Sequence, residues 1–447
     1  MGKNTFKLQV AGITKTTSIE VFEDLKFTVQ FERKDNYKGE FGFDWMRDDY
    51  GTGVSLNYED LKKEYKETQI NDQEYFVPYL SMLPDQDKVI LNLKLDILEG
   101  KARKDDVIKF PAKGGIKFEP EEVSLKDLEK EQEELEKEEA KGYEGDVSKI
   151  TRTEVKVICE NPLNQDTSIE LLDKNDELVG EIIVVKNDKM YDLDIKFVKV
   201  NIGNPRSLNH LKEKFNRNIN QIEEHLVNGS LNQAFIKPRI INKDFDSLEF
   251  INLDELSDEM FGVNRININK KGREALKEKY QTDNNFKGLV IFYVGMENTK
   301  SKAGDTQTIP LDEQFVYLYL NSVLTSDVSH EVGHALGLEH LFIESSDYVT
   351  KLNKNKKFYE DQLKKNEEYR GDSKYRQDGV LSNITKLNNR IAKINQRIKD
   401  YNTVSQNNKH KFVMSETTNL MDYNNKGKDF YHWQWKIMQK EIIKYYN

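Results

Sequence analysis

The sequence predicts a multidomain chain, with β-rich N-terminal modules followed by an α/β (α+β) domain that carries a helical-hairpin insertion. Three observations lead there. At 447 residues the chain is longer than one ordinary domain. Up to about residue 190 its apolar residues alternate with polar ones, the period of half-buried strands. From about 191 strand-like runs alternate with stretches of helical spacing.

Residues 1–118 form the first expected module. In "LKFTVQF" (25–31) Leu25, Phe27, Val29 and Phe31 fall on one face, and in "VILNLKLDI" (89–97) Val89, Leu91, Leu93, Leu95 and Ile97 do the same. Between them Phe41, Phe43 and Trp45 of "GEFGFDWMRDDYG" suit core packing, with a docking surface as the alternative. The run "EPEEVSLKDLEKEQEELEKEEAKG" reads as a solvated acidic helix, a linker spanning 119–149. A small β-sandwich-like module is expected at 150–190, from "EVKVIC", "TSIELL", a turn cluster "DKND" and "ELVGEIIVVK".

The third domain, 191–447, opens with the strand "LDIKFVKVNI". After Pro205, Ser207 is placed to cap a helix whose Leu208, Leu211, Phe215, Ile219, Ile222 and Leu226 make one buried stripe. The strands "AFIKPRII", "GLVIFYVG" and "FVYLYL" follow, and Thr325 or Ser326 would cap the next helix. Further on, Val380, Ile384, Leu387, Ile391, Ile394, Ile398 and Tyr401 step by 4 and 3, a heptad-type seam, with "YVTKLNKNKKFYEDQLKKNEEY" as the opposing helix. This hairpin, 350–403, is either a spacer packed on itself or an exosite or lid. "KDFYHWQWKIMQKEIIKYY" closes the domain as a helix in which His432 is a core residue; His210, His225 and His410 show no partner pattern.

Composition narrows the function classes. Charged residues make up 33% of the chain with both signs interspersed, and the formal net charge of −10 disfavours a nucleic-acid partner. The apolar run "LVIFYV" is far short of the roughly 20 residues that a bilayer requires. The first twenty residues alternate polar and apolar and lack the apolar core of a secretory signal, so a protein cytoplasmic as made, or exported by another machine, is expected. A single cysteine, Cys159, excludes an internal disulfide and reads as a small buried hydrophobe on a strand.

The chemistry concentrates in "HEVGHALGLEH", residues 330–340. His330 and His334 lie one helical turn apart and project from one face, the way a helix holds zinc. Gly337 can take a left-handed conformation that ends the helix and brings His340 round as a third ligand. Three neutral imidazoles leave a fourth tetrahedral position open, as catalytic sites do. Glu331, directly after the first histidine, is placed to act as general base. From this composition the five fixed positions would recur by chance on the order of 10⁻⁵ times per chain, which disposes of a chance reading.

The HExxHxxGxxH pattern resembles that of the metzincin zinc endopeptidases, and "TTNLMDYNN" (417–425) is similar to their second signature, the Met-turn beneath the metal. The resemblance implies Zn²⁺ on His330, His334 and His340, Met421 as the Met-turn residue, and Tyr423 as an extra ligand or oxyanion donor, as in the Met-x-Tyr forms of astacin-like and serralysin-like members. It also implies that strand 315–320, just before the zinc helix, is the edge strand that takes up a protein or peptide substrate as an added antiparallel strand. Leu341, after the third histidine, matches none of the residues usual to the subfamilies, and 80 residues separate His340 from Met421. The function expected is zinc-dependent endopeptidase. The alternatives are a binding or delivery protein with a relic zinc domain, its β modules docking a partner, and a toxin protease carried by a bacterial contractile injection system, to whose modules the N-terminal style is loosely similar.

Overall fold

The protein is described by a computed structural model covering all residues except 1, 11–12, 22–23, 85, 88, 143–145, 202–204, 253–267, 282–285, 296–303, 307, 310–313, 321–324, 344–347, 424–426 and 447. Two compact units emerge, Met1–Arg47 with Lys62–Lys189, and Asp48–Leu61 with Met190–Asn447.

The first unit is built on two β-sheets. One runs Ile116–Glu119, Glu154–Cys159, Ile90–Glu99, Lys26–Arg33, antiparallel throughout. The other runs Glu122–Ser124, Val107–Lys109, Thr167–Leu172, Leu178–Val184, Tyr79–Ser81, Gly42–Asp44, with one parallel pair between Leu178–Val184 and Tyr79–Ser81. Alternate residues of both sheets, among them Phe31, Leu93, Val157, Ile108, Ile169 and Ile182, share one core. The expected division into modules 1–118 and 150–190 is thus corrected: the strands of 154–184 pair with those of 79–124. Three short strands alone could not have covered an apolar face. Phe41 and Phe43 are core residues, while Trp45 lies under the guanidinium groups of Arg33 and Arg47 at 4.7 and 4.0 Å. Cys159 is buried, its thiol 3.1 Å from the Asn161 carbonyl.

The acidic stretch is a helix, Leu125–Glu139, capped by the Ser124 side chain, but it is not a linker. Leu125 and Leu128 belong to the sandwich core, and the buried Glu131 accepts from Arg152 at 2.8 Å and from the Thr153 amide and hydroxyl at 2.6 Å. A leucine stripe inside a run of glutamates is enough to dock one face while the other stays charged.

In the second unit a six-stranded sheet runs Ile236–Ile240, Tyr191–Asn201, Leu289–Val294, Phe315–Tyr319, Gly304–Thr306, with Glu249–Asn252 also beside Tyr191–Asn201. Its pairs are parallel except at the edge strand Gly304–Thr306. Strand Leu289–Val294 is buried at every position, the signature of a strand covered on both faces. The expected edge strand, 315–320, therefore lies inside the sheet, and Gly304–Thr306 outside it takes the edge. Its three residues are too short a run to stand out by periodicity. Helix Pro205–Asn228 buries Leu211, Phe215, Ile219 and Leu226 and begins at the proline, whose missing N–H costs nothing there; the expected cap at Ser207 concerns a side chain outside the described ones. Thr325 is the first residue of helix Thr325–Ala335, and the position before it is outside the described residues.

The insertion is a hairpin of helices Tyr348–Glu368 and Gln377–Asn407, whose seam buries Leu352, Val380, Ile384, Ile394 and Val404. The chain closes with helix His432–Glu441, where His432 packs on Trp433 in the core. Segment Asp48–Leu61, expected in the first module, belongs here: Tyr50 and Tyr431 share a hydroxyl–hydroxyl hydrogen bond of 2.7 Å, and Leu56 N–H donates to Lys411 O at 2.9 Å. No helix among the described residues is long and apolar enough to cross a membrane.

Candidate metal centre

Helix Thr325–Ala335 presents His330 and His334 one turn apart, then stops. Gly337 has φ of +87°, and the closing bonds Gly337 N–H to His334 O and Leu338 N–H to Gly333 O are both 3.0 Å. This left-handed glycine turn reverses the chain and carries His340 back to the other two. The three Nε2 atoms form a triangle with sides of 3.1, 3.1 and 3.2 Å.

The remaining ring nitrogens explain why the Nε2 lone pairs converge. His330 Nδ1–H donates to Leu420 O and His334 Nδ1–H to Leu338 O, each at 2.7 Å. Those carbonyls fix the tautomer and leave both Nε2 atoms as acceptors facing one another, an arrangement that calls for a cation between them. Burial pushes the His330 imidazole below its ordinary value, opposed by the Leu420 carbonyl and Asp422, a shift that favours the neutral form a metal requires. Nitrogens bound tetrahedrally at zinc-type lengths lie about 3.3–3.4 Å apart, close to the observed triangle. The three histidines could hold a metal ion.

Around the triangle the chain is tightly fitted. Met421 is wholly buried, and a Cβ at Gly333 would meet its Sδ at 2.6 Å, so the thioether occupies the space left by a glycine between the two helical histidines. Leu341 N–H donates to Met421 O at 3.2 Å, joining the chain after His340 to the turn. Tyr423 is half exposed, its ring centroid 4.6 Å from that of His340 and 5.9 Å from that of His330. Glu331 is buried on the same helix; a Cβ at Gly304 would meet its Cγ, Cδ and Oε1 at 2.5 to 2.8 Å, so edge-strand backbone lies directly against this carboxyl.

All six residues singled out in the sequence, His330, Glu331, His334, His340, Met421 and Tyr423, therefore sit in one neighbourhood of the second unit. Sequence reading missed three more. Asp422 accepts from Ser415 N–H, Thr417 N–H, the Thr417 hydroxyl and Tyr423 N–H at 2.8 to 3.0 Å and so shapes the whole turn. Phe342 stacks face to face on His340, centroids 4.8 Å apart and planes 13° apart. Gly304 gives the edge strand its close approach. Asp422 lies within the quoted Met-turn, but nothing in the spacing marks a carboxylate that bonds backwards along the chain.

No family model and no curated protein matches this chain. Among solved structures it is similar to one described as a chaperone-substrate complex, with 15% identity and a TM-score of 0.23 over 36% of this chain; the chain spans only 28% of that protein's length. It is also similar to metalloproteinase-II from Bacteroides fragilis, with 11% identity and a TM-score of 0.21, over 77% of this chain and 84% of that one. Likeness at this level carries no weight for fold or activity. What bears on function is the geometry of the histidine triangle.

Proposed function

We propose that the protein is a zinc-dependent endopeptidase of metzincin type, with its catalytic domain in 191–447. One observation carries the reading: three Nε2 lone pairs converge on a point while two of the rings are locked by carbonyls behind them. His330, His334 and His340 would hold the ion, which when bound would supply Lewis-acid activation of water and of the scissile carbonyl.

The chain's own residues do the rest. Glu331 takes the proton of the attacking water and returns it to the leaving amine. Its burial beside the backbone of Gly304 keeps bulk water from competing for that proton. Tyr423, edge-on to His340 and half exposed, donates its hydroxyl proton in a hydrogen bond to the oxyanion of the tetrahedral intermediate. The strand Gly304–Thr306, which pairs on one side only among the described residues, takes an extended substrate as an added strand that aligns a peptide bond over the triangle.

The test separates base from ligands. Glu331→Ala removes the proton acceptor and none of the imidazoles, so zinc by elemental analysis stays near one per chain while cleavage of a quenched peptide falls by roughly 10² to 10⁴. An unchanged rate in that variant overturns the mechanism. A zinc-loaded native chain that cleaves no member of a peptide library supports the relic reading instead.

A further inference from the structure

The hairpin has a charge character opposite to the rest of the chain. Between 348 and 407 there are fourteen lysines and arginines against seven acids, in a protein whose formal net charge is −10. The excess runs through both helices and the turn between them, and on the second helix its two acids, Asp378 and Asp400, lie towards the ends. Residues 379–399 contain five basic residues and no acid. Lys386, Arg390, Lys393 and Arg397 recur at spacings of 4, 3 and 4, which places them on one stripe of helix Gln377–Asn407 beside the apolar seam. Lys386, Arg390 and Lys393 are exposed and Arg397 half-buried. Arg390 lies over the Tyr359 ring at 5.3 Å, and among the described residues Lys386, Lys393 and Arg397 meet no carboxylate. Apart from the Arg390 contact with Tyr359, the stripe works against the hairpin's own stability, since like charges at this spacing repel.

The root of the hairpin is fixed to the histidine site. The Asn408 side chain donates to Gly337 O at 2.9 Å and accepts from Glu339 N–H at 3.0 Å. Lys411 Nζ donates to His340 O at 2.8 Å and pairs with Glu339 at 3.2 Å. The returning chain hydrogen-bonds to the segment after the third histidine, Phe412 N–H to Leu341 O at 2.6 Å. The last cation of the stripe, Arg397, lies eleven residues before Asn408, about 16 Å of helix, so a ligand along the stripe ends within that distance of the root.

We propose that this stripe is a docking surface for acidic polypeptide, and that it selects substrates with acidic segments for the site at its root; the second clause rests on the endopeptidase reading. Polypeptide is favoured over nucleic acid by two features. Residues 379–399 include no aromatic side chain on which a base could stack, and the Tyr359 ring of the opposing helix is already covered by Arg390. Also, the acidic remainder of the chain repels a polyanion as dense as DNA more than it repels a sparsely charged peptide.

The probe is a fluorescein-labelled twenty-residue peptide alternating Glu and Ser, compared with one alternating Gln and Ser. Anisotropy is measured on the full chain carrying Glu331→Ala, so that no cleavage intrudes. The acidic peptide should bind about tenfold more tightly or better, and lose that margin as salt rises. Lys386→Glu, Arg390→Glu, Lys393→Glu and Arg397→Glu together should remove the preference, while exchanging Lys for Arg and Arg for Lys at the same four positions should keep it. Circular dichroism shows whether the charge-reversed helix still forms; if it does not, single Lys386→Gln and Lys393→Gln variants, each expected to weaken binding two- to threefold, decide the matter. Equal binding of both peptides, an unaffected charge-reversed variant, tighter binding of single-stranded DNA of the same charge, or a stripe-dependent self-association seen by sedimentation would each overturn the proposal. Acidic-peptide binding by a native chain that hydrolyses nothing removes the endopeptidase reading alone, and hydrolysis without acidic preference removes the docking surface alone.

Discussion

The candidate metal centre and the hairpin rooted beside it are held together in opposite ways. Around the histidines, buried polar groups are tied to close partners: two imidazole N–H groups donate to carbonyls, and Asp422 accepts from four donors on three residues. Along the hairpin, helices of 21 and 31 residues bury one narrow apolar seam and leave nearly everything else in water. Buried hydrogen-bonded networks resist small displacements because an orphaned polar group is costly. A single seam resists only unzipping. Changes at the centre should therefore reach metal and catalysis, and changes along the hairpin should stay local.

The largest effect should come from His334→Ala, which takes away one corner of the triangle. Metal content should fall to background and peptide cleavage with it, measured on the same preparation by elemental analysis and a quenched substrate. A variant that still held one tightly bound ion would show that the three imidazoles are not the site.

Asp422→Ala comes next. Four donors lose their acceptor, costing about 3 kcal/mol in stability and roughly 10- to 100-fold in metal affinity, because the turn that carries Met421 and supplies the Leu420 carbonyl behind His330 loosens. Chelator competition and thermal melting read the two effects; if neither moved, the comparison between a rigid centre and a soft hairpin would fail.

Glu441 lies where the two regions meet, near both the Gly337 turn and Asp400 of the hairpin. Its carboxyl faces the Gly337 turn, where a Cβ would meet its Cγ at 2.9 Å, and burial, with Asp400 adding to it, pushes its pKa from 4.5 up to about 7, against the pull of Lys444. The folded chain therefore binds this proton more tightly than the unfolded one. Folding bears no cost from it below about pH 4.5, a growing cost between 4.5 and 7, and the full cost above that. Glu441→Gln should raise the melting temperature by a few degrees at alkaline pH, by less near pH 6, and not at all in acid. A gain that grew towards acid would reverse the assignment.

The smallest effect is expected from Ile394→Ala in the hairpin seam, about 2 kcal/mol of local stability, visible as faster amide exchange in both hairpin helices with zinc content unchanged. Metal loss in this variant would mean that the hairpin holds up the centre.

The sequence alone determined what depends on spacing along one element. The i, i+4 histidines, the glycine that must turn left-handed, the step of the hairpin seam, and the alternation in 26–33 and 90–99 are all local periodicities, and each appears in the folded chain where its period put it. Only the tertiary structure decided what depends on which distant element lies alongside. It placed 154–184 in the same sandwich as 79–124, docked an acidic helix by its leucines, gave the sheet edge to Gly304–Thr306, and moved 48–61 into the C-terminal unit. Strand partnership, and the reach of Asp422 or Phe342 to a neighbour, are settled by the shape of the surface that the partner offers, and no repeat in the chain encodes that shape.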